Sequence, residues 1–344
     1  MTAGRIVRIL GCLFLLALAV AGGGAAWVGW RLFAPHPAGT SAEKTVIVPA
    51  GSDARQILEQ LEAAGVLADA TLARAYLVYV LDDPPLRAGE YLFRGPLNVP
   101  AVLGKLVRGE VVTHGVTLVE GLTLEETAQA LADAGFGQRD TLLAAMRDPA
   151  PIADLDPAAR DLEGYLFPDT YAFARGTAER EIVATLVRTF RARFQGEVQP
   201  RLADDAAKTR EIVTLASIVE EEAKLDEERA TIAAVYRNRL RIGMALYADP
   251  TIIFALKRRG TWDGNLRRRD LELEDPYNTY RHAGLPPGPI CSPGLRSLLA
   301  AAAPADVPYL YFVGRNDGSH VFAETLAEHN RNVETWQKQY WQGR

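Results

Sequence analysis

The chain has 344 residues, of which 48% are hydrophobic and 24% are charged, and its formal net charge at pH 7 is -5. This balance excludes a wholly disordered, collagen-like or coiled-coil protein, and the absence of a basic excess argues against a nucleic-acid partner. The two cysteines, Cys12 and Cys291, are too few for a disulfide framework or a four-cysteine zinc site.

Residues 9–30 form an apolar segment without any charged side chain. As a helix they would span about 33 Å, enough for the hydrocarbon core of a bilayer. Arg5 and Arg8 precede the segment, which predicts a cytoplasmic N-terminus and an exported remainder. A cleaved signal peptide is the alternative, because Ala19, Val20 and Ala21 form a cleavage-like site. The apolar run continues well past that site, so we favour a retained anchor.

Two related segments follow, starting at Thr45 and Gly115, and each combines a β-rich run, a glycine turn and an amphipathic helix. This pattern predicts an α+β fold. Two further strands are predicted at 89–93 and 309–313. Helices are predicted at 99–107, 179–194, 209–224, 226–241 and 325–340. Residues 243–295 are rich in Gly, Pro, Asn and Tyr, and we expect an irregular, functional segment there. The predicted organisation is a cytoplasmic tip (1–8), an anchor (9–30), a linker (31–44), a first region (45–113) and a second region (114–344).

The predicted helix 209–224 ends with three consecutive glutamates. On a helical projection Glu220 lies about 80° from the centre of the apolar stripe, Glu222 lies about 80° away on the other side, and Glu221 lies opposite the stripe. Burial at the border of the stripe would raise the pKa of Glu220 and keep it protonated as a general acid. Glu221 should be a solvated surface charge. The alternative is that all three glutamates form a solvated patch.

Three loops carry polar and aromatic residues that suit a sugar ligand. Residues 161–171 interleave acids with aromatics, although a rigid connecting loop explains that pattern equally well. Residues 246–254 and 277–290 are similar, and structural turns are the alternative reading. The five histidines show no metal-binding spacing. A nucleophilic Cys291 near His282 is less favoured than a packed cysteine.

These loops resemble the MltG-like (YceG-like) endolytic murein transglycosylase family. The motifs that carry the resemblance are 163–171 (EGYLFPDTY), 216–220 (ASIVE), 236–240 (YRNRL), 249–251 (DPT), 277–280 (YNTY), 284–290 (GLPPGPI), 320–322 (HVF) and 328–330 (EHN). The sequence departs from the family pattern at Tyr247-Ala248 and at Ser292. The resemblance covers the anchor, a first region that is LysM-like, and nearly all of residues 115–335.

The resemblance implies cleavage of the β-1,4 bond between N-acetylmuramic acid and N-acetylglucosamine in peptidoglycan, leaving 1,6-anhydro ends and terminating growing glycan strands. It implies Glu220 as the catalytic acid, no metal and no cofactor. The implied partners are peptidoglycan glycan strands, the cytoplasmic (inner) membrane through residues 9–30 and peptidoglycan synthases, with the catalytic part on the extracytoplasmic side. The implied substrate-binding residues are Glu163, Tyr165, Asp169, Thr170, Ser217, Asp249, Thr251, Tyr277, Asn278 and Tyr280. A muramidase-type hydrolase, with Glu163 as a second carboxyl, and a non-catalytic wall-binding scaffold are the alternatives.

Overall fold

A computed structural model of the chain describes residues 3–35, 43–49, 51–202 and 209–339. The described residues form a mixed α+β structure, as predicted. Its helices are α1 (Ala3–Phe33), α2 (Ala54–Ala63), α3 (Ala70–Tyr79), α4 (Val99–Arg108), α5 (Leu124–Asp133), α6 (Arg139–Met146), α7 (Glu179–Arg193), α8 (Thr209–Glu222), α9 (Arg229–Arg241), α10 (Asp249–Arg258), α11 (Leu295–Ala302) and α12 (Leu326–Val333). Its strands are β1 (Lys44–Val48), β2 (Gly89–Phe93), β3 (Thr113–Thr117), β4 (Thr170–Ala174), β5 (Tyr311–Gly314) and β6 (His320–Ala323).

The strands pair as β1 with β2, β3 with β4 and β5 with β6. The chain divides into two compact units, the first comprising residues 1–114 and 172–176, and the second comprising residues 115–171 and 177–344. In the first unit, β1 and β2 are antiparallel, and Tyr91 and Phe93 of β2 are buried beside α2, α3 and α4. No structural observation tests the LysM-like character predicted for this part of the chain.

The apolar N-terminal segment is part of α1, which extends beyond the predicted anchor at both ends. Within the described residues, Leu10–Phe33 is the one stretch long and apolar enough to cross a membrane, judged by length and composition alone. A signal sequence near an N-terminus would meet the same criterion. The end of α1 packs on α3 within the first unit, where the Phe33 ring meets the Tyr76 ring edge-on at 6.1 Å. Arg31 donates a hydrogen bond to the Ala68 carbonyl at 3.2 Å.

The two related segments fold as predicted into strand–turn–helix pieces. Asp53 begins α2 through a capping box with Gln56, and Thr123 begins α5 through the same arrangement with Glu126. The glycine between strand and helix has positive φ in both copies, which only glycine adopts without strain. The two segments are therefore similar in local structure as well as in sequence.

The prediction that residues 243–295 are irregular is wrong in one respect, because this segment contains α10. Asp249 and Pro250 open this helix, and proline at the first turn costs no hydrogen bond. The composition of the flanking loops concealed that start signal. The predicted helix 226–241 begins later than expected, at Arg229, since Asp226 lies in a short 3-10 turn that precedes α9.

Candidate active site

The end of α8 places three consecutive glutamates in three different environments. The helix is buried from Ile212 to Val219, so its backbone is fixed within the second unit. Glu221 is exposed, as predicted, although partial burial of its carboxyl raises its pKa above the ordinary value. Glu220 and Glu222 face opposite sides of the helix and have different neighbours, and this difference decides which of them can act on a substrate.

Glu220 is held by protein groups on both carboxyl oxygens. Its Oε1 accepts a hydrogen bond from Nη1 of Arg229 at 2.8 Å, and its Oε2 accepts one from the backbone N–H of Gly294 at 2.8 Å. The side chains of Glu220 and Arg229 are only 6% and 10% exposed. Arg229 also donates to the Ser297 hydroxyl at 2.5 Å. The predicted burial of Glu220 is present, but its neighbour is a guanidinium instead of an apolar side chain.

Glu222 has no cationic hydrogen-bond partner among the described residues. Its Oε1 accepts a hydrogen bond from the Tyr236 hydroxyl at 2.9 Å. Burial raises the pKa of Glu222 to about 7, and the negative charge of Asp249 adds to the rise. The Tyr236 hydrogen bond and the positive charge of Arg239 oppose it. A carboxyl with this pKa is about half protonated at neutral pH, as a general acid requires.

Glu222 lines a cavity of about 580 Å³, here called the Glu222 cavity. Its walls come from α8, α9, α10, the β5–β6 hairpin, α12 and the loops at Tyr247 and Tyr280. The size and the mixture of aromatic and charged groups are typical of small-ligand sites. The lining residues are Glu222, Arg239, Met244, Tyr247, Asp249, Tyr280, Tyr311, Phe312, Val313, Gly314, His320, Leu326 and His329.

Tyr247 and Tyr280 form one wall of the Glu222 cavity. Their ring centroids are 5.3 Å apart at an interplanar angle of 72°. Tyr247 has φ of +49°, which is costly for an aromatic residue and is concentrated at functional sites. The Tyr280 hydroxyl donates a hydrogen bond to Asp249 at 2.7 Å. Burial raises the pKa of Tyr280, so its hydroxyl keeps the proton that it donates.

Arg239 fixes the loops around the Glu222 cavity. Its Nε donates a hydrogen bond to the Leu310 carbonyl at 2.7 Å, and its Nη1 donates one to the Leu246 carbonyl. The guanidinium carbon also lies 5.7 Å from the Tyr311 ring centroid. Arg239 therefore joins the end of α9 to the chain entering β5 and to the loop that carries Tyr247.

Glu163 lies in a different place. Both of its carboxyl oxygens accept the backbone N–H of Leu124 at the start of α5, at 3.0 and 3.1 Å. Burial raises the pKa of Glu163 to about 8. Two neighbouring cavities of about 340 and 250 Å³ meet at Glu163 and Tyr277, and they are here called the Glu163 cavities. Glu163 thus shares neither hydrogen-bond partners with Glu220 nor a cavity with Glu222.

The other predicted binding residues are dispersed. Ser217, Thr251 and Asn278 have no exposed surface, and their side chains hold loops through hydrogen bonds within the protein. Asp169 and Thr170 are exposed but line none of the cavities described above. The geometry does not favour substrate contact by these five residues, and their role stays a prediction.

The aromatic residues of loop 161–171 are mainly structural. Tyr165 lines the larger Glu163 cavity, yet it is 1% exposed and its hydroxyl donates to Asp156 at 2.7 Å. The Tyr171 hydroxyl donates to the Phe167 carbonyl at 2.6 Å. The rigid-loop alternative therefore describes most of this segment better than a sugar cleft does.

The cysteine alternative finds no support in the structure. Cys291 is buried, and burial raises the pKa of its thiol well above the ordinary value. His282 is exposed and lies 3.8 Å from Glu274. Among the residues that the structure describes, no group of three or more His, Cys, Asp or Glu side chains is arranged to hold a metal ion.

Comparison with known proteins places the chain in a family. The family model of the YceG-like family matches residues 46–335. The chain belongs to the YceG-like family. The resemblance predicted from the sequence is thereby confirmed.

Individual relatives are similar over most of this chain. A Bacillus subtilis (strain 168) protein named endolytic murein transglycosylase is 30% identical over 330 residues, covering 91% of this chain and 90% of the relative. A Streptococcus pneumoniae (serotype 2, strain D39) protein of the same name is 29% identical over 94% of this chain, which spans 64% of that longer relative. The crystal structure of a putative YceG-like protein from Listeria monocytogenes is similar with a TM-score of 0.57 and 31% identity, covering 85% of this chain and 100% of that one.

Sequence reasoning missed Glu222, Arg239 and Tyr247 as functional candidates. The helical projection favours Glu220 as the acid, at the border of the apolar stripe, although Glu222 lies equally far from the stripe on its other side. The information that separates them is what packs against each side of α8, and that depends on residues distant in the sequence. Tyr247 lies in the predicted polar and aromatic loop 246–254 and at a departure from the family pattern, but the sequence does not single it out as a binding residue.

Proposed function

We propose that the protein cleaves the β-1,4 bond between N-acetylmuramic acid and N-acetylglucosamine in peptidoglycan strands and leaves a 1,6-anhydro end. The enzyme class follows from the relatives: the chain is a lytic transglycosylase, a carbon–oxygen lyase. The substrate and the position of the cleaved bond extend the relatives' printed name to this chain.

The proposed acid is Glu222, and the observation that carries this assignment is its position in the Glu222 cavity. Its carboxyl has a pKa near neutrality and faces a space large enough for a sugar ring. Glu220, the acid predicted from the sequence, has both oxygens occupied by Arg229 and Gly294. The Glu220 side chain is also only 6% exposed, which limits the access of a substrate oxygen to it. Glu220 therefore serves better as a positioning residue that ties α8 to α9 and to the start of α11.

The reaction proceeds in two proton transfers through one carboxyl. Protonated Glu222 donates its proton to the glycosidic oxygen while the bond from that oxygen to C1 of the muramic residue breaks. The resulting carboxylate then accepts the proton of the muramic C6 hydroxyl as its oxygen bonds to C1. Glu222 ends as it began, no water is consumed, and the product carries an internal 1,6 ring.

The walls of the Glu222 cavity supply substrate binding. The Tyr247 and Tyr280 rings offer apolar surfaces on which a sugar ring can stack. Asp249 is partly available as a hydrogen-bond acceptor for sugar hydroxyls, since Tyr280 occupies only its Oδ1. The charge of Asp249 also helps to keep Glu222 protonated until the substrate arrives.

The cellular setting is part of the same proposal. Residues 9–30 remain attached as an anchor in the cytoplasmic membrane, and the second unit acts on the extracytoplasmic side, near peptidoglycan synthases. There it would end the elongation of new glycan strands. The length and apolar composition of Leu10–Phe33 support this arrangement, as does the excess of Arg5 and Arg8 before the segment over Arg31 at its other end.

The test compares Glu222→Gln with Glu220→Gln on purified glycan strands, with products identified by mass spectrometry. We expect Glu222→Gln to lower the rate of anhydro-end formation by about a thousandfold, a typical contribution of a general acid. Glu220→Gln should retain turnover wherever it remains folded, as judged by circular dichroism. Anhydro ends from Glu222→Gln at the wild-type rate, together with their loss in folded Glu220→Gln, would return the acid role to Glu220.

A muramidase-type hydrolase is the second candidate, because Asp249 shares the cavity with Glu222. Hydrolysis of a glycosidic bond usually needs two carboxyls, and this pair replaces the predicted pairing with Glu163. Reducing ends in place of anhydro ends from the wild-type protein would identify this reaction. Binding to peptidoglycan without any turnover would instead favour a scaffold.

A further inference from the structure

The Glu163 cavities are not used by the proposed reaction. They share the four residues Asp161, Glu163, Arg258 and Tyr277, which form a common wall between spaces of about 340 and 250 Å³. All of them lie in the second unit. Together the two spaces are large enough for a short peptide, so the question is which chemical groups the wall would recognise.

Arg258 presents an unpaired guanidinium to both spaces. It is exposed at the end of α10, and its guanidinium carbon lies 5.1 Å from the Tyr277 ring centroid and 5.7 Å from that of Phe254. Within the described parts of the chain, no acid lies within ion-pair distance of Arg258 and no hydrogen bond occupies it. The rings hold the planar group in place while its N–H donors stay free. Such a fork binds a carboxylate through two parallel hydrogen bonds.

Most of the other basic side chains around the cavities already have acidic partners. Arg259 pairs with Asp275 at 2.9 Å, and Arg210 pairs with Asp156 at 2.6 Å. Arg160 also has no ion pair among the described residues, but it lines only the larger cavity, so Arg258 is the cation of the shared wall.

The acids on the shared wall complement this cation. Asp161 is partly exposed, and its Oδ1 accepts the backbone N–H of Glu163 at 3.0 Å, which leaves its second oxygen toward the space. Glu163 is neutral at neutral pH because burial raises its pKa to about 8, so it does not repel a carboxylate. A ligand that carries one carboxylate and a nearby amide N–H would satisfy Arg258 and Asp161 together.

We propose that the Glu163 cavities form a second binding site for a small peptide with a free carboxylate, in which Arg258 binds the carboxylate and Asp161 accepts an amide N–H. The identification of this peptide as a stem peptide of peptidoglycan rests on the proposed function. The preference for a carboxylate rests on the wall alone.

The test is calorimetric titration of the full-length protein in detergent with N-acetylmuramyl-L-alanyl-D-isoglutamine and with the same compound amidated at its carboxylate. We expect the free acid to bind at least about tenfold more tightly than the amide, because only the acid can use the guanidinium. This comparison needs no variant and so does not depend on folding. Equal affinities, or no binding of either compound, would overturn the proposal.

Variants then locate the site. Arg258→Met should weaken binding of the free acid by at least about tenfold and abolish the preference over the amide, and Arg258→Lys should restore part of it. Arg188→Met on α7 is the matched control, since Arg188 is exposed and lines none of these cavities. An unchanged preference in folded Arg258→Met would overturn the assignment. Wild-type protein that binds the free acid but never cleaves glycan would refute the proposed function and leave this site standing.

Discussion

The two sides of α8 hold glutamates two residues apart in opposite chemical settings. On one side, Glu220 is enclosed with Arg229, and both of its carboxyl oxygens accept hydrogen bonds from protein groups. On the other side, Glu222 meets a tyrosine hydroxyl and an open cavity, and burial shifts its pKa toward neutrality. Both carboxyls are desolvated, so burial by itself does not identify a catalytic acid. The deciding feature is whether the protein or a ligand completes the hydrogen bonding.

The largest effect expected in the structure itself concerns the Glu220 side. Glu220→Gln leaves the buried Arg229 guanidinium with Asp226 as its one charged partner, and this should lower the free energy of unfolding by about 4 kcal/mol. Thermal unfolding of the full-length protein in detergent, followed by tryptophan fluorescence, measures the loss. The double variant Glu220→Gln/Arg229→Met should recover much of it, because no unpaired charge then remains.

Additive losses in that double variant would contradict the comparison, since they would mean that Glu220 and Arg229 stabilise the fold independently. The matched control is Glu211→Gln. Glu211 is exposed on the same helix, and its replacement should change stability by less than about 0.5 kcal/mol.

The second largest expected effect is a pH dependence of stability caused by Glu163. This residue is buried like Glu220, but no cation is bonded to it. Its folded pKa of about 8 lies above the ordinary value of 4.5, so the folded state favours the protonated form. The contribution of this protonated carboxyl to the free energy of unfolding is fully present below about pH 4.5 and is lost progressively as the pH rises to about 8. The Glu163→Gln side chain can still accept the Leu124 N–H but does not titrate. Between pH 5 and pH 9 we therefore expect the free energy of unfolding to fall by about 3 kcal/mol more in the wild type than in Glu163→Gln.

Unfolding measured at both pH values, with wild-type protein alongside, checks this expectation. Glu222 titrates in both proteins and therefore cancels in the difference. The expectation would fail if the two proteins lost stability equally between pH 5 and pH 9.

Some parts of the fold and of the candidate site could be predicted from the sequence, and others could not. The paired segments at Thr45 and Gly115, with their glycine turns and capping residues, were predictable because those signals are local. The start of α10 was also local, but loop-forming residues on both sides masked it. The family motifs were readable, and the family is confirmed. The sequence could not predict the different environments of Glu220 and Glu222. These depend on Arg229, Gly294 and the β5–β6 hairpin, which tertiary packing brings to α8.

The smallest expected effect is a shift in the pKa of Glu222 when its hydrogen bond from Tyr236 is removed. The Tyr236 hydroxyl donates to Glu222, and this hydrogen bond lowers the pKa of the carboxyl while burial raises it. Tyr236→Phe removes the donor, so the pKa of Glu222 should rise further, by about half a unit. Because the proposed acid must be protonated, kcat/KM should fall as the pH rises through about 7 in the wild type, and through a higher pH in the variant.

The measurement is the pH profile of kcat/KM on glycan strands between pH 5 and pH 9. At pH 5 both proteins hold Glu222 protonated, so Tyr236→Phe should match the wild type within about twofold there, and a purely structural defect would lower the rate at every pH. A profile that keeps its midpoint in Tyr236→Phe would mean that the titrating acid is not the carboxyl bonded to Tyr236. In that case Glu220, which Tyr236 does not contact, would be the group to test next.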